Sequence, residues 1–255
     1  TIGSSVTNIG DYAFRYCSHL TEIVIPDNVM YVKQYAFDGC TLLKKAVIGN
    51  GVLSIDQRAF QSCPALSDIT WGTSLKTIGS TAFCACPITE LILPASLETV
   101  NASAFMNCKS LKKVVLNDAL KTISHSMFGG CTALEEITIG SSVTTIGDYA
   151  FQYCTHLTEI VIPDNVMYIN QYAFDGCTKL QKVEVGTGLL SIGQRAFKDC
   201  GSSLGFYLKA QTPPSLGSYV SSNTTIGGIF VPTASLETYI SKWSSYSSYL
   251  KGYDF

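Results

Sequence analysis

Hydrophobic and polar positions recur along this chain with a single period. Phe stands at 14, 37, 60, 83, 105, 128, 151, 174 and 197, so the steps are 23, 23, 23, 22, 23, 23, 23 and 23 residues. Each Phe is followed three residues later by Cys, at 17, 40, 63, 86, 108, 131, 154, 177 and 200. Ile or Val lies five residues before each Phe, Val or Leu eight before it, and Ala directly before it except at Met127. The rest of each unit alternates. In "LTEIVIP", Leu20, Ile23 and Ile25 point one way and Glu22 and Val24 the other, the period of a half-buried strand. So short a unit cannot bury its own apolar face, and the copies must stack. Nine copies tile residues 4 to about 204. With strands about 4.8 Å apart they predict a solenoid roughly 40 Å long.

The chain also repeats on a larger scale. Residues 3–40 and 140–177 align without a gap and differ only at Asn8/Thr145, Arg15/Gln152, Ser18/Thr155, Val32/Ile169 and Lys33/Asn170. Their offset of 137 residues equals five units of 23 and one of 22. A block of whole units was copied, which a stack of equivalent coils tolerates and a single globular core does not.

The unit L-x-x-I-x-I-P-x-x-V-x-x-I-G-x-x-A-F-x-x-C, present from Leu157 to Cys177 apart from Asn170 at the Gly position, resembles the BspA-like leucine-rich repeats of bacterial and protozoan surface proteins. The resemblance covers about four-fifths of the chain. It implies a mainly β, right-handed leucine-rich-repeat solenoid with a concave sheet of LxxIxI strands, a second row of short strands near "VTTIG" and tight turns around "AFxxC". It also implies a cell-surface or secreted protein involved in adhesion, without enzymatic activity.

After Cys200 the register loosens. "QTPPSLGSYVSSNTT" reads as loop, "GIFVP" as a strand, and "TASLETYISKW" as a helix starting near Thr233 or Ser235. Leu236, Tyr239, Ile240 and Trp243 share one helical face. The expectation is a solenoid over 1–204 and a capping segment over 205–255. Tyr246, Tyr249, Tyr253 and Phe255 offer an alternative use of that segment as a sugar-stacking platform.

Composition narrows the partners. Charged residues make up 14% of the chain, against about 25% in typical soluble proteins. The net charge is −2 and there is no Lys/Arg cluster, so neither nucleic acid nor an anionic membrane surface is expected as a partner. No apolar run reaches membrane-spanning length. The chain starts mid-pattern at Thr1, as expected of a piece of a longer protein.

Nine of the ten cysteines occupy one equivalent position. Stacking holds neighbouring Cβ atoms about 4.8 Å apart, whereas a disulfide prefers about 3.8 Å. Buried free thiols are therefore expected, with Cys84 the most accessible because it breaks the ladder. His19, His125 and His156 are read as isolated surface imidazoles, with His19 and His156 one site counted twice. Tyr12 and Tyr35, like Tyr149 and Tyr172, should stack on the outer turn. No catalytic residue, metal or cofactor is assigned, because no motif pairs a nucleophile with a base or brings metal ligands together.

The candidate binding residues are the outward positions of the LxxIxI strands. One row carries charges of mixed sign: Glu22, Lys45, Asp68, Glu90, Lys113, Glu136 and Glu159. The other is mostly apolar: Val24, Val47, Thr70, Ile92, Val115, Thr138 and Val161. An apolar stripe exposed beside charges marks interaction surfaces, although β-branched residues also simply suit a sheet. The expectation is a monomeric bacterial binding module, extracellular or surface-attached, that takes a protein or glycan on this face. The alternative is a passive spacer array with no ligand of its own.

Overall fold

The computed structural model describes residues 2–255. The chain winds as a mainly β solenoid with one short α-helix, Leu236–Lys242. Each coil contributes to two strand rows. The long-strand row contains Glu22–Val24, Lys45–Val47, Asp68–Thr70, Glu90–Ile92, Lys113–Val115, Glu136–Thr138, Glu159–Ile162 and Lys182–Val185. The short-strand row runs from Asn8–Ile9 and Tyr31–Val32 to Ser191–Ile192 and Ser215–Leu216. Pairing is parallel and joins positions one coil apart, as where Ile23 faces Ala46 and Ala46 faces Ile69. The same register holds across the 22-residue unit, where Thr77 faces Thr99.

The Phe column forms the spine. The rings from Phe14 to Phe197 make one continuous stack, with neighbouring centroids 4.9–6.0 Å apart and planes within 15° of parallel. From Phe37 onward these side chains are fully buried, as are the Ala residues before them.

The turn around each Phe holds two left-handed residues, two before and two after it. Tyr12 and Tyr16 have φ of 59° and 57°, and Tyr149 and Tyr153 have 57° and 59°. A left-handed L-residue costs roughly 1–2 kcal/mol. Systematic hydrogen bonding offsets that cost. Tyr12, Phe14 and Tyr16 donate N–H groups to Gln34, Ala36 and Asp38 of the next coil, at 3.0, 2.7 and 2.8 Å. Ala13, Arg15 and Cys17, between them, donate to their own coil three residues back.

The cysteine ladder has a second role that its size alone does not reveal. Each ladder thiol from Cys40 to Cys200, Cys84 excepted, donates to the Phe carbonyl of the preceding coil at 3.1–3.3 Å, as Cys40 Sγ does to Phe14 O. All ten cysteines are free. Burial pushes the Cys40 thiol up to about 11 and the thiols of Cys63 and Cys131 up to about 12.

The expectation for Cys84 needs correction. It is only 6% exposed, and the equivalent Asp38 and Asp175 are buried too. Cys17 is the half-exposed thiol. Maleimide labelling of the native protein should therefore modify Cys17 first, and denaturation without reductant should release all ten thiols. Mass spectrometry finding intrachain disulfides, or rapid native labelling of Cys131, would contradict this packing.

The stack continues past Cys200. Strands Leu204–Leu208, Ile226–Pro232 and Leu250–Tyr253 extend the long row in parallel, so the boundary expected at 204/205 falls inside a strand. The segment read as loop forms another coil. Ser215–Leu216 pairs with Ser191–Ile192, and Tyr219 and Asn223 take the left-handed positions with φ of 57° and 59°. Phe197 N donates to Val220 O, which puts Val220 at the Ala position and Ser221 where Phe would stand. Thr224 replaces the Cys, its hydroxyl donating to Phe197 O at 2.7 Å. With Phe and Cys both replaced, the sequence period disappears although the backbone keeps it.

The helix then lies over this last coil. Tyr239 and Trp243 are buried and donate to the carbonyls of Ala210 and Pro214 at 2.9 and 3.0 Å.

Candidate interaction face

All fourteen residues expected to bind lie on the long strands and alternate outward from the core. Val24, Ile92 and Val161 are 53%, 56% and 57% exposed, and Lys45, Val47 and Val115 are half-buried. Their inward neighbours Ile23, Ala46, Leu91, Val114 and Ile160 are buried. The strand period thus puts one row of side chains into the core and leaves Val24, Val47, Ile92, Val115 and Val161 outward, with Thr70 and Thr138 among them.

The charged row is internally paired. Lys45 reaches Asp68 at 3.7 Å, and Lys113 lies 4.0 Å from both Glu90 and Glu136. Exposed pairs of this kind contribute little, about 0–1 kcal/mol each, so the charges can exchange partners at small cost. Lys182 pairs with Glu184, and that hydrogen bond holds the ammonium above its ordinary pKa.

The long-strand row is not one sheet. It divides into Glu22–Val24 to Asp68–Thr70, then Glu90–Ile92 to Glu136–Thr138, then Glu159–Ile162 onward. Within each sheet Lys stands opposite acids, with Lys45 facing Glu22 and Asp68, Lys113 facing Glu90 and Glu136, and Lys182 facing Glu159. At both breaks an acid follows an acid, Asp68 then Glu90 and Glu136 then Glu159. Like charges directly opposite destabilise strand pairing. The missing residue in the 22-residue unit accompanies only the first break, whereas the acid pair stands at both. Ile69 and Ile137, inward on the strands before the breaks, are correspondingly only half-buried.

Sequence reasoning missed the C-terminal continuation of this face. Tyr207 pairs across the sheet with Glu184 and Phe230, and the Tyr207 and Phe230 rings stack at 4.5 Å. Lys182 and Lys251 approach Tyr207 and Phe230 at 5.4 and 5.6 Å, and Tyr253 packs edge-on against both rings. The available signal was the alternation in "LGFYL" and "GIFVP", where Phe206, Leu208, Ile229 and Val231 are the buried partners.

Elsewhere the surface follows the expected packing. Tyr12–Tyr35 and Tyr149–Tyr172 stack at 4.9 Å, and the hydroxyls of Tyr35 and Tyr172 accept from Arg58 and Arg195 at 2.7 and 2.6 Å. The three histidines are exposed and far apart in sequence. Among the described residues no group of three or more His, Cys, Asp or Glu side chains could hold a metal ion, and no helix is long and apolar enough to cross a membrane.

Comparison with known proteins agrees with this architecture. The BspA type leucine rich repeat region family matches residues 1–112 and 76–203, in six copies. The leucine-rich repeat protein of T. pallidum is 31% identical, with a TM-score of 0.57 over 62% of this chain and 74% of that one. A leucine-rich repeat protein from Bacteroides ovatus is 23% identical and shares the fold, with a TM-score of 0.56 over 98% of this chain and 88% of that one. No curated protein matches the chain. The repeat unit, the stacked parallel coils and the family match together place this chain in the BspA type leucine-rich repeat family.

Proposed function

We propose that this chain is a non-enzymatic binding module of a secreted or surface-attached bacterial protein, and that it takes a protein or glycan partner on the outward face of the long-strand row. One observation carries the reading. Val24, Ile92 and Val161 are each more than half exposed, one on each of the three sheets of the row, and the inward side of each sheet packs on the core. A solvent-exposed sheet face ordinarily alternates to polar residues, whereas aligned apolar side chains beside charges suit a partner that buries them. The family match supports a role in interaction, and the even spacing of the outward residues suits an extended partner.

The test is an array of glycans and extracellular-matrix proteins probed with the labelled chain. Saturable binding to a defined class, competed by unlabelled protein, is the expected result. An array that stays silent at micromolar protein would favour the spacer reading, which the nearly identical blocks 3–40 and 140–177 also fit.

A further inference from the structure

The outward face carries a period that the rest of the molecule lacks. Reading its two outward positions coil by coil gives Glu22–Val24, Lys45–Val47, Asp68–Thr70, then Glu90–Ile92, Lys113–Val115, Glu136–Thr138, then Glu159–Val161 and Lys182–Glu184. An acid with an aliphatic residue, a lysine with a second outward residue, and an acid with a threonine recur every three coils. The sheet breaks fall at the same interval. The turn face does not share it, because Tyr12, Tyr35 and Arg58 are followed three coils later by Thr81, Ser103 and Ser126. The copied six-coil block repeats both faces alike, Glu22 as Glu159 and Tyr12 as Tyr149, so the three-coil recurrence rests on the first six coils, where the turn face lacks it.

The charges therefore form bands across the solenoid axis. Exposed Lys44 and Lys112 precede Lys45 and Lys113 and widen two positive bands. Between and after them lie negative bands, Asp68 with Glu90, and Glu136 with Glu159, where Glu135 adds a further exposed carboxylate. Three coils at about 4.8 Å each give a repeat of about 14 Å. Four residues of extended polypeptide span about the same distance.

Resting on the reading of this face as a binding surface, we propose that it docks an extended polypeptide segment lying along the solenoid axis, whose charges alternate in sign at every second residue. Basic side chains four residues apart sit over successive acid bands, and the acids between them sit over the lysine bands. The aliphatic row alongside covers the stems of the docked side chains.

The experiment uses three labelled twelve-residue peptides and fluorescence anisotropy at low salt. The first repeats Lys-Ser-Glu-Ser. The second has the same composition with like charges placed in adjacent pairs, and the third replaces every Glu by Lys. The first should bind at least about tenfold more tightly than the other two, and about 0.5 M salt should abolish the difference. Asp68→Asn with Glu90→Gln, and separately Glu136→Gln with Glu159→Gln, should each weaken it several-fold while the circular dichroism stays unchanged.

Equal binding of the three peptides, tighter binding of the all-lysine peptide, or no binding of the first at millimolar concentration would overturn the proposal. If that happens while Val47→Ser, Ile92→Ser and Val115→Ser together still remove a verified partner, the face remains a binding surface and only its alternating-charge specificity falls. If the serine variant keeps that partner, both fall.

Discussion

Phe128→Ala should cost about 3–5 kcal/mol and split the unfolding of this protein into two steps. Phe128 is fully buried and stacks between Phe105 and Phe151, at 6.0 and 5.6 Å. Its removal leaves a cavity with a coil on either side, and the fixed hydrogen bonds of the turn, such as Phe128 N to Ala150 O at 2.9 Å, keep the walls from closing. Each coil is held by its two neighbours, so a weakened interface in the middle lets the two halves melt separately. Phe14→Ala is the matched control. Phe14 is only half-buried and contacts a single ring of the column, Phe37, so its loss should cost less and leave a single transition. Urea unfolding followed by circular dichroism reads both. A Phe128→Ala midpoint within error of the parent would show that the column does not couple the coils.

Much of this architecture was legible in the sequence because the solenoid repeats its chemistry. A Phe every 23 or 22 residues can stack only on another Phe, and the Leu20, Ile23 and Ile25 pattern fixes which side of the strand faces inward. The outward row followed from the same alternation, and the structure places all fourteen of its residues on long strands. What stayed hidden depends on contacts between coils. The thiol-to-carbonyl bond of Cys40 to Phe14 links residues 26 apart, and nothing local distinguishes it from simple apolar packing. The burial of Cys84 depends on how the turn lies against its neighbours. The coil at 215–224 was invisible because Ser221 and Thr224 replace the two residues that mark the period, while Tyr219 and Asn223 preserve the backbone. The sheet breaks depend on which charge faces which across strands, so they required the register.

On the candidate face, replacing Val47, Ile92 and Val115 together with Ser should remove partner binding and leave the fold intact. All three point away from the core, and substitutions at such positions usually change stability by about 0.5 kcal/mol or less. Each truncation removes about 1–2 kcal/mol of apolar contact with a partner that covers it, so three together weaken a micromolar interaction by at least about a hundredfold. Lys45→Glu with Lys113→Glu should act more on association rate and salt dependence than on the lifetime of the complex.

The most direct measurement compares the affinity of a partner found on the array for the parent, for the Val47→Ser, Ile92→Ser, Val115→Ser variant, and for a Tyr12→Ser, Tyr149→Ser variant. The tyrosine pair is a fair control, because Ser already occupies the equivalent left-handed position at Ser103 and Ser126. The prediction is that the face variant loses binding and the turn variant binds as the parent does. A face variant with parental affinity and a turn variant without it would contradict the assignment and move the site to the stacked tyrosines of the turn.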